Sequence, residues 1–212
     1  GRRLGLRTVV IANGLSRSGH DGVDSRAVPW QSRRMRLSLV PHPDTPCEAV
    51  RQISVEAMRL GTKLGLRYRV EGDFEQIALA RRGLRERADE LWKHTCLEAF
   101  VSASTGYSEI NLSPSNRWAA YHFDTYRGGM AIHQGIELLN LEDRREAEVY
   151  ELEAKLDLRD LPPNHDWSVG ISAVIELADG RRCFWALRHA AGAPDFHRAD
   201  TFTCRLPPTE FA

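Results

Sequence analysis

The sequence predicts an all-β fold, a two-sheet antiparallel β-sandwich of jelly-roll type with little helix. Short apolar segments alternate residue by residue, and turn residues separate them at roughly 8–12 residue intervals. Helical periodicity is scarce, so a parallel sheet built from strand–helix–strand units is disfavoured. A chain of 212 residues suffices for one such domain. Its 42% hydrophobic and 27% charged residues are typical of a soluble globular protein rather than a disordered one.

The first predicted elements are a strand and a hairpin. Alternation begins at 36–40 and stops at Pro41. Residues 51–58 and 63–71 predict a hairpin, because Gly61 supplies a turn residue between two alternating segments. In the second segment the apolar side chains share one face, which we expect to point into the core.

The middle and the end of the chain continue the same pattern. Residues 79–91 are charged and rich in Ala and Leu, which favours a short helix or a loop. Asp179-Gly180 between two apolar segments predicts a second hairpin. The remaining predicted strands are 94–102, 107–113, 117–123, 131–139, 147–157, 167–176, 182–189 and 200–206.

Charge divides the chain into a basic head and a mildly acidic body. Residues 1–34 hold seven arginines and no lysine against Asp21 and Asp24, a net charge of +5. The remainder carries −5, because the whole chain has a formal net charge of zero. Met35 is the first methionine, and a strand pattern follows it directly. We therefore expect a ligand-binding domain at 35–212, with 1–34 as a disordered tail or an extension that is not native.

Composition also argues against several classes of partner and compartment. The acidic body disfavours nucleic acid, which needs clustered Lys and Arg. No apolar run approaches the roughly 18–20 residues of a membrane span, and no signal-peptide core is found. Cys47, Cys96, Cys183 and Cys204 lie far apart without metal-ligand spacing. We expect a cytoplasmic protein with reduced thiols, no membrane association and an undetermined oligomeric state.

Two neighbouring predicted strands place polar side chains on a common face. In 94–102 and 107–113 the alternate apolar residues belong to the core. Glu98, Glu109 and Asn111 then share the opposite face, beside aromatic residues. Carboxylates, an amide and rings on one face suit a sugar, since polar groups pair with hydroxyls and rings pack on the apolar sugar face. A solvated outer face is an equally good interpretation, because antiparallel sheets often leave one face wet.

Aromatic and basic residues elsewhere extend the candidate site. Trp118 and Tyr121 belong to opposite faces of the next strand by alternation, so only one of them can face a common ligand. Arg127 and His189 are expected to flank the polar residues. A stacking surface is expected from Trp118 or Trp185.

Other chemistries remain open at these positions. His189, Asp195 and His197 are weak candidates for a metal site, because their spacing matches no established motif. Glu98 and Glu109 could form the carboxyl pair of a glycoside hydrolase. Cys96 beside His94 is better interpreted as a small buried residue than as a nucleophile. A protein partner is a further alternative.

Several segments, in order, resemble those of a known family. They are LWKHTCLEAF (91–100), YSEINLSP (107–114), the stretch from Trp118 to Arg127, WAL with His189 (185–189) and PDFH (194–197). Together they resemble bacterial DOMON-like proteins, which are related in fold to family 9 carbohydrate-binding modules. The resemblance runs from about Met35 to Leu206 and omits the basic head.

The resemblance implies a β-sandwich that holds a sugar or haem in a pocket on one sheet and has no catalytic role. In sugar-binding relatives tryptophans clamp the ligand, which makes Trp92, Trp118 and Trp185 the candidates here. Haem-binding relatives use a Met and a His as axial ligands, which would be Met130 with His189 or His197. The leading prediction is a small-molecule ligand, most simply a sugar, without a cofactor. Haem binding is the alternative.

Overall fold

The computed structural model describes residues 34–209, which form thirteen β-strands and two single turns of 3₁₀ helix. The 3₁₀ turns are Leu91–Lys93 and Ala199–Thr201. The strands are β1 (Met35–Pro41), β2 (Val50–Leu60), β3 (Lys63–Gly72), β4 (Glu86–Arg87), β5 (Cys96–Ser102), β6 (Tyr107–Leu112), β7 (Arg117–Phe123), β8 (Ala131–Ile132), β9 (Ile136–Glu146), β10 (Val149–Leu158), β11 (Trp167–Glu176), β12 (Arg182–Ala186) and β13 (Cys204–Leu206). The fold is all-β, as predicted.

The strands form one large sheet that curls into two layers. The first layer has the order β1-β2-β3-β10-β9, and the second has the order β4-β7-β6-β5-β11-β12. Strand β1 connects the layers because its partner changes along its length. Residues 35–39 pair with β2, whereas Val40 and Pro41 pair with β12. β13 adds to β11, and β8 adds to β7.

The main core lies between the layers and follows the predicted alternation. From the first layer it receives the apolar face of β3, which carries Leu64, Leu66, Tyr68 and Val70. From the second layer it receives Leu97, Ala99 and Val101 of β5 with Ile110 and Leu112 of β6. The fully buried Tyr68 donates a hydrogen bond of 2.7 Å to the main-chain carbonyl of Glu98. This hydrogen bond therefore links the first layer to β5, the strand that carries Glu98.

Both predicted hairpins are present. β2 and β3 pair up to Leu60 and Lys63, with Gly61 at φ 60° in the turn. β11 and β12 pair up to Glu176 and Arg182, with Gly180 at φ 83°. Both glycines occupy the left-handed region, where a side chain would be strained.

Some predicted strands were wrong in extent. The strand expected at 131–139 is divided, because the chain leaves β7 after β8 and crosses to the first layer as β9. The strand expected at 182–189 ends at Ala186, and that expected at 200–206 begins at Cys204 after a 3₁₀ turn. Residues 79–91 are mostly loop, with β4 and the start of the other 3₁₀ turn.

The prediction for residues 1–34 falls almost wholly outside the described residues. Within 34–209, no helix is long and apolar enough to cross a membrane.

Candidate functional site

A cavity of about 300 Å³ lies on the outer face of the second layer, the face turned away from the main core. Two segments border it. One is the turn 124–130 after β7, and the other is the covering segment 188–203 after β12. The residues that line it are Trp92, Glu98, Phe100, Glu109, Phe123, Arg127, Met130, Val174, Arg182, Phe184, Pro194, Phe196 and His197.

Three buried polar side chains of β5 and β6 form the acidic part of the site. Glu98, Glu109 and Asn111 are 2%, 5% and 0% exposed. They meet because Glu98 lies opposite Asn111, and Phe100 opposite Glu109, in the β5–β6 register. The Asn111 amide donates a 2.7 Å hydrogen bond to Glu109 Oε1. The predicted shared face is thus confirmed, but it is covered rather than wet.

One oxygen of Glu98 has no partner within the described residues. Ser172 Oγ donates to Glu98 Oε2 over 3.2 Å, whereas the buried Oε1 accepts no hydrogen bond. A buried polar atom without a partner costs about 1–3 kcal/mol, and such atoms are rare in native proteins. Because Glu98 lines the cavity, this oxygen can accept a hydrogen bond from a group bound there.

Burial disfavours the charged forms of both carboxyls. Desolvation, together with the nearby charge of Glu109, raises the pKa of Glu98 to about 8. Desolvation also raises the pKa of Glu109, although the Asn111 hydrogen bond and the charge of Arg127 lower it in part. At neutral pH Glu98 is therefore largely protonated.

Aromatic rings form the apolar walls. Trp92, Phe100, Phe123, Phe184 and Phe196 all line the cavity. Beneath them, Phe202 of the covering segment stacks on Phe100 with ring centroids 5.9 Å apart. Gly170 permits this approach, because a Cβ there would lie 2.6 Å from a Phe202 ring carbon. The covering segment is therefore packed onto the sheet.

Side-chain hydrogen bonds join the turn 124–130 to the covering segment 188–203. Asp195 accepts hydrogen bonds from Tyr126 (2.6 Å) and from the Arg127 guanidinium (3.0 Å). Beside it, His197 Nδ1 is 2.8 Å from Tyr107 Oη, and its Nε2 is 3.8 Å from Glu109 Oε2. Burial, together with the charge of Arg127, lowers the pKa of His197 to about 4, so its ring is neutral at pH 7.

The structure brings together part of the predicted site. Trp92, Glu98, Glu109 and Arg127 line the cavity. Two further predicted residues lie directly behind this lining. Asn111 bonds Glu109, and Tyr121 contacts Trp92 with ring centroids 5.9 Å apart. Tyr121 also donates to Asp89 Oδ1 over 2.7 Å.

Three other predicted residues lie away from the cavity. Trp118 and Trp185 pack in the main core, on the opposite face of the second layer. Neither can stack on a ligand in the cavity, because the sheet itself lies between. His189 Nε2 donates a hydrogen bond to the Val40 carbonyl (2.8 Å), and the ring packs edge-on against His42. It supports the covering segment instead of flanking the carboxyls.

The candidate metal ligands do not converge. Asp195 is held by Tyr126 and Arg127, His197 by Tyr107, and His189 by the Val40 carbonyl. Within residues 34–209 no group of three or more His, Cys, Asp or Glu side chains could hold a metal ion.

The residues proposed for haem ligation also do not fit that group. Met130 lines the cavity, but His189 does not. The ring nitrogens of His197 are already directed at Tyr107 and Glu109. Axial ligation needs a histidine nitrogen free to face the iron; His189 Nδ1 has no hydrogen-bond partner among the described residues, but this residue does not line the cavity that holds Met130.

The thiol alternative is likewise unsupported by geometry. Cys96 is fully buried, and desolvation raises its pKa well above the ordinary value. His94 instead lies at the surface with Nδ1 2.8 Å from Glu176. Cys96 acts as a packed residue whose Sγ lies 3.6 Å from Asn111 Oδ1.

Sequence reasoning missed Phe184 and Phe196 as lining residues. Alternation along β12 could have found Phe184, because its neighbours Cys183 and Trp185 belong to the core face. Phe196 lies in the irregular covering segment, where no periodic signal exists. Its position depends on packing against Phe100 and Phe184.

A second, larger groove of about 440 Å³ lies on the outer face of the first layer. It is lined entirely by charged residues, and these pair with each other, as in Arg67–Glu153 and Arg144–Glu151. It is a solvated charged face, and it has neither the rings nor the unpartnered buried atom of the smaller cavity.

Comparison with known proteins shows relatives in fold. No family model matches the chain, and a search of curated proteins finds no match. A structure from Bacteroides uniformis, to which carbohydrate binding has been ascribed, matches with a TM-score of 0.55 at 14% identity. The match covers 82% of this chain and 86% of the Bacteroides uniformis chain. A family 9 carbohydrate-binding module from Caldicellulosiruptor kristjanssonii, in complex with glucose, matches with a TM-score of 0.52 at 10% identity. That match covers 87% of this chain and 88% of the module. The shared property is the β-sandwich fold.

Proposed function

We propose that the protein is a non-catalytic binding domain for a small carbohydrate-type ligand, held in the cavity beside Glu98. The observation that carries the proposal is the unpartnered Oε1 of Glu98, buried in a ring-lined cavity. Such a cavity combines an apolar wall with a few placed polar groups, which is the usual composition of a small-molecule site. Its volume of about 300 Å³ lies at the lower end of the range for such sites.

The polar and aromatic groups match the two surfaces of a sugar. Glu98, Glu109 and Asn111 offer hydrogen-bonding groups for hydroxyls. Trp92 and Phe184 line the cavity and are partly exposed, so their rings are available to contact the apolar face of a pyranose. The fold neighbours named for carbohydrate binding support this choice of ligand class. The quoted segments from Leu91 to His197 lead us to propose further that the chain is a bacterial DOMON-like domain.

Calorimetric titration with neutral mono- and disaccharides, glucose and cellobiose first, tests the proposal. Trp92→Ala should weaken binding about threefold to tenfold through lost ring contact. Leu139→Ala, which truncates an exposed residue of the first layer, is the matched control and should bind normally. A ligand at about 100 times its dissociation constant should also stabilise the protein by roughly 2.7 kcal/mol.

The outcomes separate this function from its alternatives. If no saccharide binds or stabilises the protein, the cavity is not a sugar site and the proposal is wrong. If a saccharide is cleaved during the titration and Glu98→Gln stops cleavage but not binding, the protein is a hydrolase that uses the two carboxyls.

A further inference from the structure

No lysine or arginine side chain of the described residues makes direct contact with either carboxyl group of the cavity, although the charge of Arg127 acts on Glu109 from farther away. Among residues 34–209, no Lys or Arg nitrogen lies within 4 Å of Glu98 or Glu109; the Arg127 guanidinium is bonded to Asp195. The His197 ring lies 3.8 Å from Glu109 but is neutral at pH 7. Arg182 lines the cavity only from its exposed rim. A buried carboxyl without a cation beside it favours its protonated form, which agrees with the raised pKa of Glu98.

The position of the unpartnered atom shows where a cation would sit. Glu98 Oε1 is buried and lacks a donor, while Oε2 is already bonded to Ser172. Glu109 Oε1 is bonded to Asn111, and Oε2 has only the 3.8 Å approach of His197. Each carboxyl thus retains one oxygen able to accept from a donor in the cavity.

The walls around these oxygens suit a cation as well. Five aromatic rings line the same cavity. Ring faces attract ammonium groups, and combinations of rings with carboxylates recognise amines in proteins. A hydroxyl donates a single hydrogen bond, whereas an ammonium group has three N–H donors and can bond to both free carboxyl oxygens.

We propose that the ligand carries a protonated amino group, which lies against Glu98 and Glu109, so that the preferred ligand is an amino sugar rather than a neutral sugar. This inference rests on the proposed function. It narrows the ligand class through the hydrogen-bond donors that the two carboxyl groups lack.

Binding of an ammonium group should displace a proton. Desolvation and the charge of Glu109 keep Glu98 protonated, with a pKa of about 8. Cys96 and Glu109 face it from the sheet, and Arg127, Arg182 and His197 border the cavity. The Glu98 carboxyl and the ligand ammonium form an ion pair, and the carboxyl proton passes to solvent.

Calorimetry at about pH 6.5 with glucose and glucosamine tests this step, in two buffers of different ionisation enthalpy. Glucosamine should bind at least tenfold more tightly than glucose and release close to one proton. Glu98→Gln should bring the ratio of the glucosamine and glucose dissociation constants close to one and should abolish the proton release, whatever its effect on the binding of glucose itself. Glu109→Gln should reduce the advantage, and it serves where the first variant folds poorly. Glu75→Gln, at an exposed position, is the matched control and should change nothing.

The results distinguish the inference from the proposed function. If glucose binds as tightly as glucosamine and no proton is released, the inference is wrong and the sugar-binding function stands. A glucosamine preference that persists in both Glu98→Gln and Glu109→Gln also overturns it, because the amine then lies elsewhere. If neither sugar binds, both proposals fail.

Discussion

The outer faces of the two layers are built from the same alternating pattern but differ in how their charges are arranged. On the first layer, Arg67 and Arg69 of β3 pair across to Glu153 and Glu151 of β10 at 2.6 and 3.1 Å. On the second layer, Glu98 and Glu109 lie beneath a covering segment, without a Lys or Arg partner among the described residues. The charged side chains of the first face are exposed and paired with each other. The carboxyls of the second face are buried and have no Lys or Arg partner among the described residues.

This difference shows what separates a solvated face from a binding site. Charged residues at outward positions occur on both faces, although the second face also carries the buried rings of Phe100, Tyr107 and Phe123. Charge pairing separates the faces further, because a paired exposed face is already satisfied. Unpaired buried carboxyls cost stability, and proteins tolerate such costs mainly where function uses them. The following predictions test this contrast, beginning with the largest effect.

Truncating the ring that joins the covering segment to the sheet should have the largest effect. Phe100 is 1% exposed and packs against Phe202, Tyr107, Phe196 and His197. Phe100→Ala should lower the free energy of unfolding by about 3–5 kcal/mol in urea titrations. Leu139→Ala on the first layer should change it by less than about 0.5 kcal/mol. Similar losses for both would mean that the second face is no better packed than the first.

Glu98→Gln should stabilise the protein at about pH 8. The pKa of Glu98 is about 8 in the folded state, above the ordinary 4.5, so the folded state binds more protons between these values. Stability therefore falls as pH rises through this window, and the neutral variant escapes roughly 3–4 kcal/mol of that loss. Thermal unfolding of both proteins at about pH 4 and pH 8 measures this difference in stability. The variant should be the more stable protein only at pH 8.

The same substitution on the first layer should act in the opposite direction. Partial burial alone would raise the pKa of Glu153, but the Arg67 hydrogen bond and charge lower it below its ordinary value. Glu153→Gln should therefore destabilise the protein slightly at neutral pH, by less than about 1 kcal/mol. If both variants shift stability in one direction, the contrast in charge pairing does not govern the two faces.

Lowering the pH should destabilise the protein through the protonation of His197. Burial and the charge of Arg127 lower its pKa to about 4, whereas an unfolded histidine titrates near 6.5. The unfolded state therefore binds the proton first, and stability falls by roughly 2–3 kcal/mol as pH drops through this window. His197→Gln should flatten that part of the stability profile. His165→Gln, at an exposed position, should leave the slope unchanged.

Much of the fold follows from local pattern. The apolar face of β3 and the Asp179-Gly180 turn identify their hairpins, because period two and left-handed glycines are properties of a few adjacent residues. The division of 131–139 could not be predicted in this way. It arises where the chain changes partner from β7 to β10, which depends on residues distant in sequence.

The candidate site was predictable in one part and not in another. Alternation placed Glu98, Glu109 and Asn111 together, since neighbouring strands bring them into register. It could not show that this face is covered, because the segment 188–203 has no periodic pattern and is positioned by Phe196 and Phe202. Alternation also did not decide which face of the second layer carries Trp185, because that face is fixed by the pairing of β12 with β11.

The smallest effect is expected from the ion pairs of the first layer. Arg67 donates to Glu153 at 2.6 Å and approaches Glu56 at 3.9 Å, but it is 40% exposed. Arg67→Gln should lower the free energy of unfolding by about 0.5–1 kcal/mol at low salt. At about 1 M salt the Debye length is near 3 Å, so the loss should disappear. A double-mutant cycle with Glu153→Gln in urea titrations isolates the pair. A coupling that survives high salt would mean that this face, too, holds its charges away from water, and the contrast between the layers would then lie in pairing alone and not in burial.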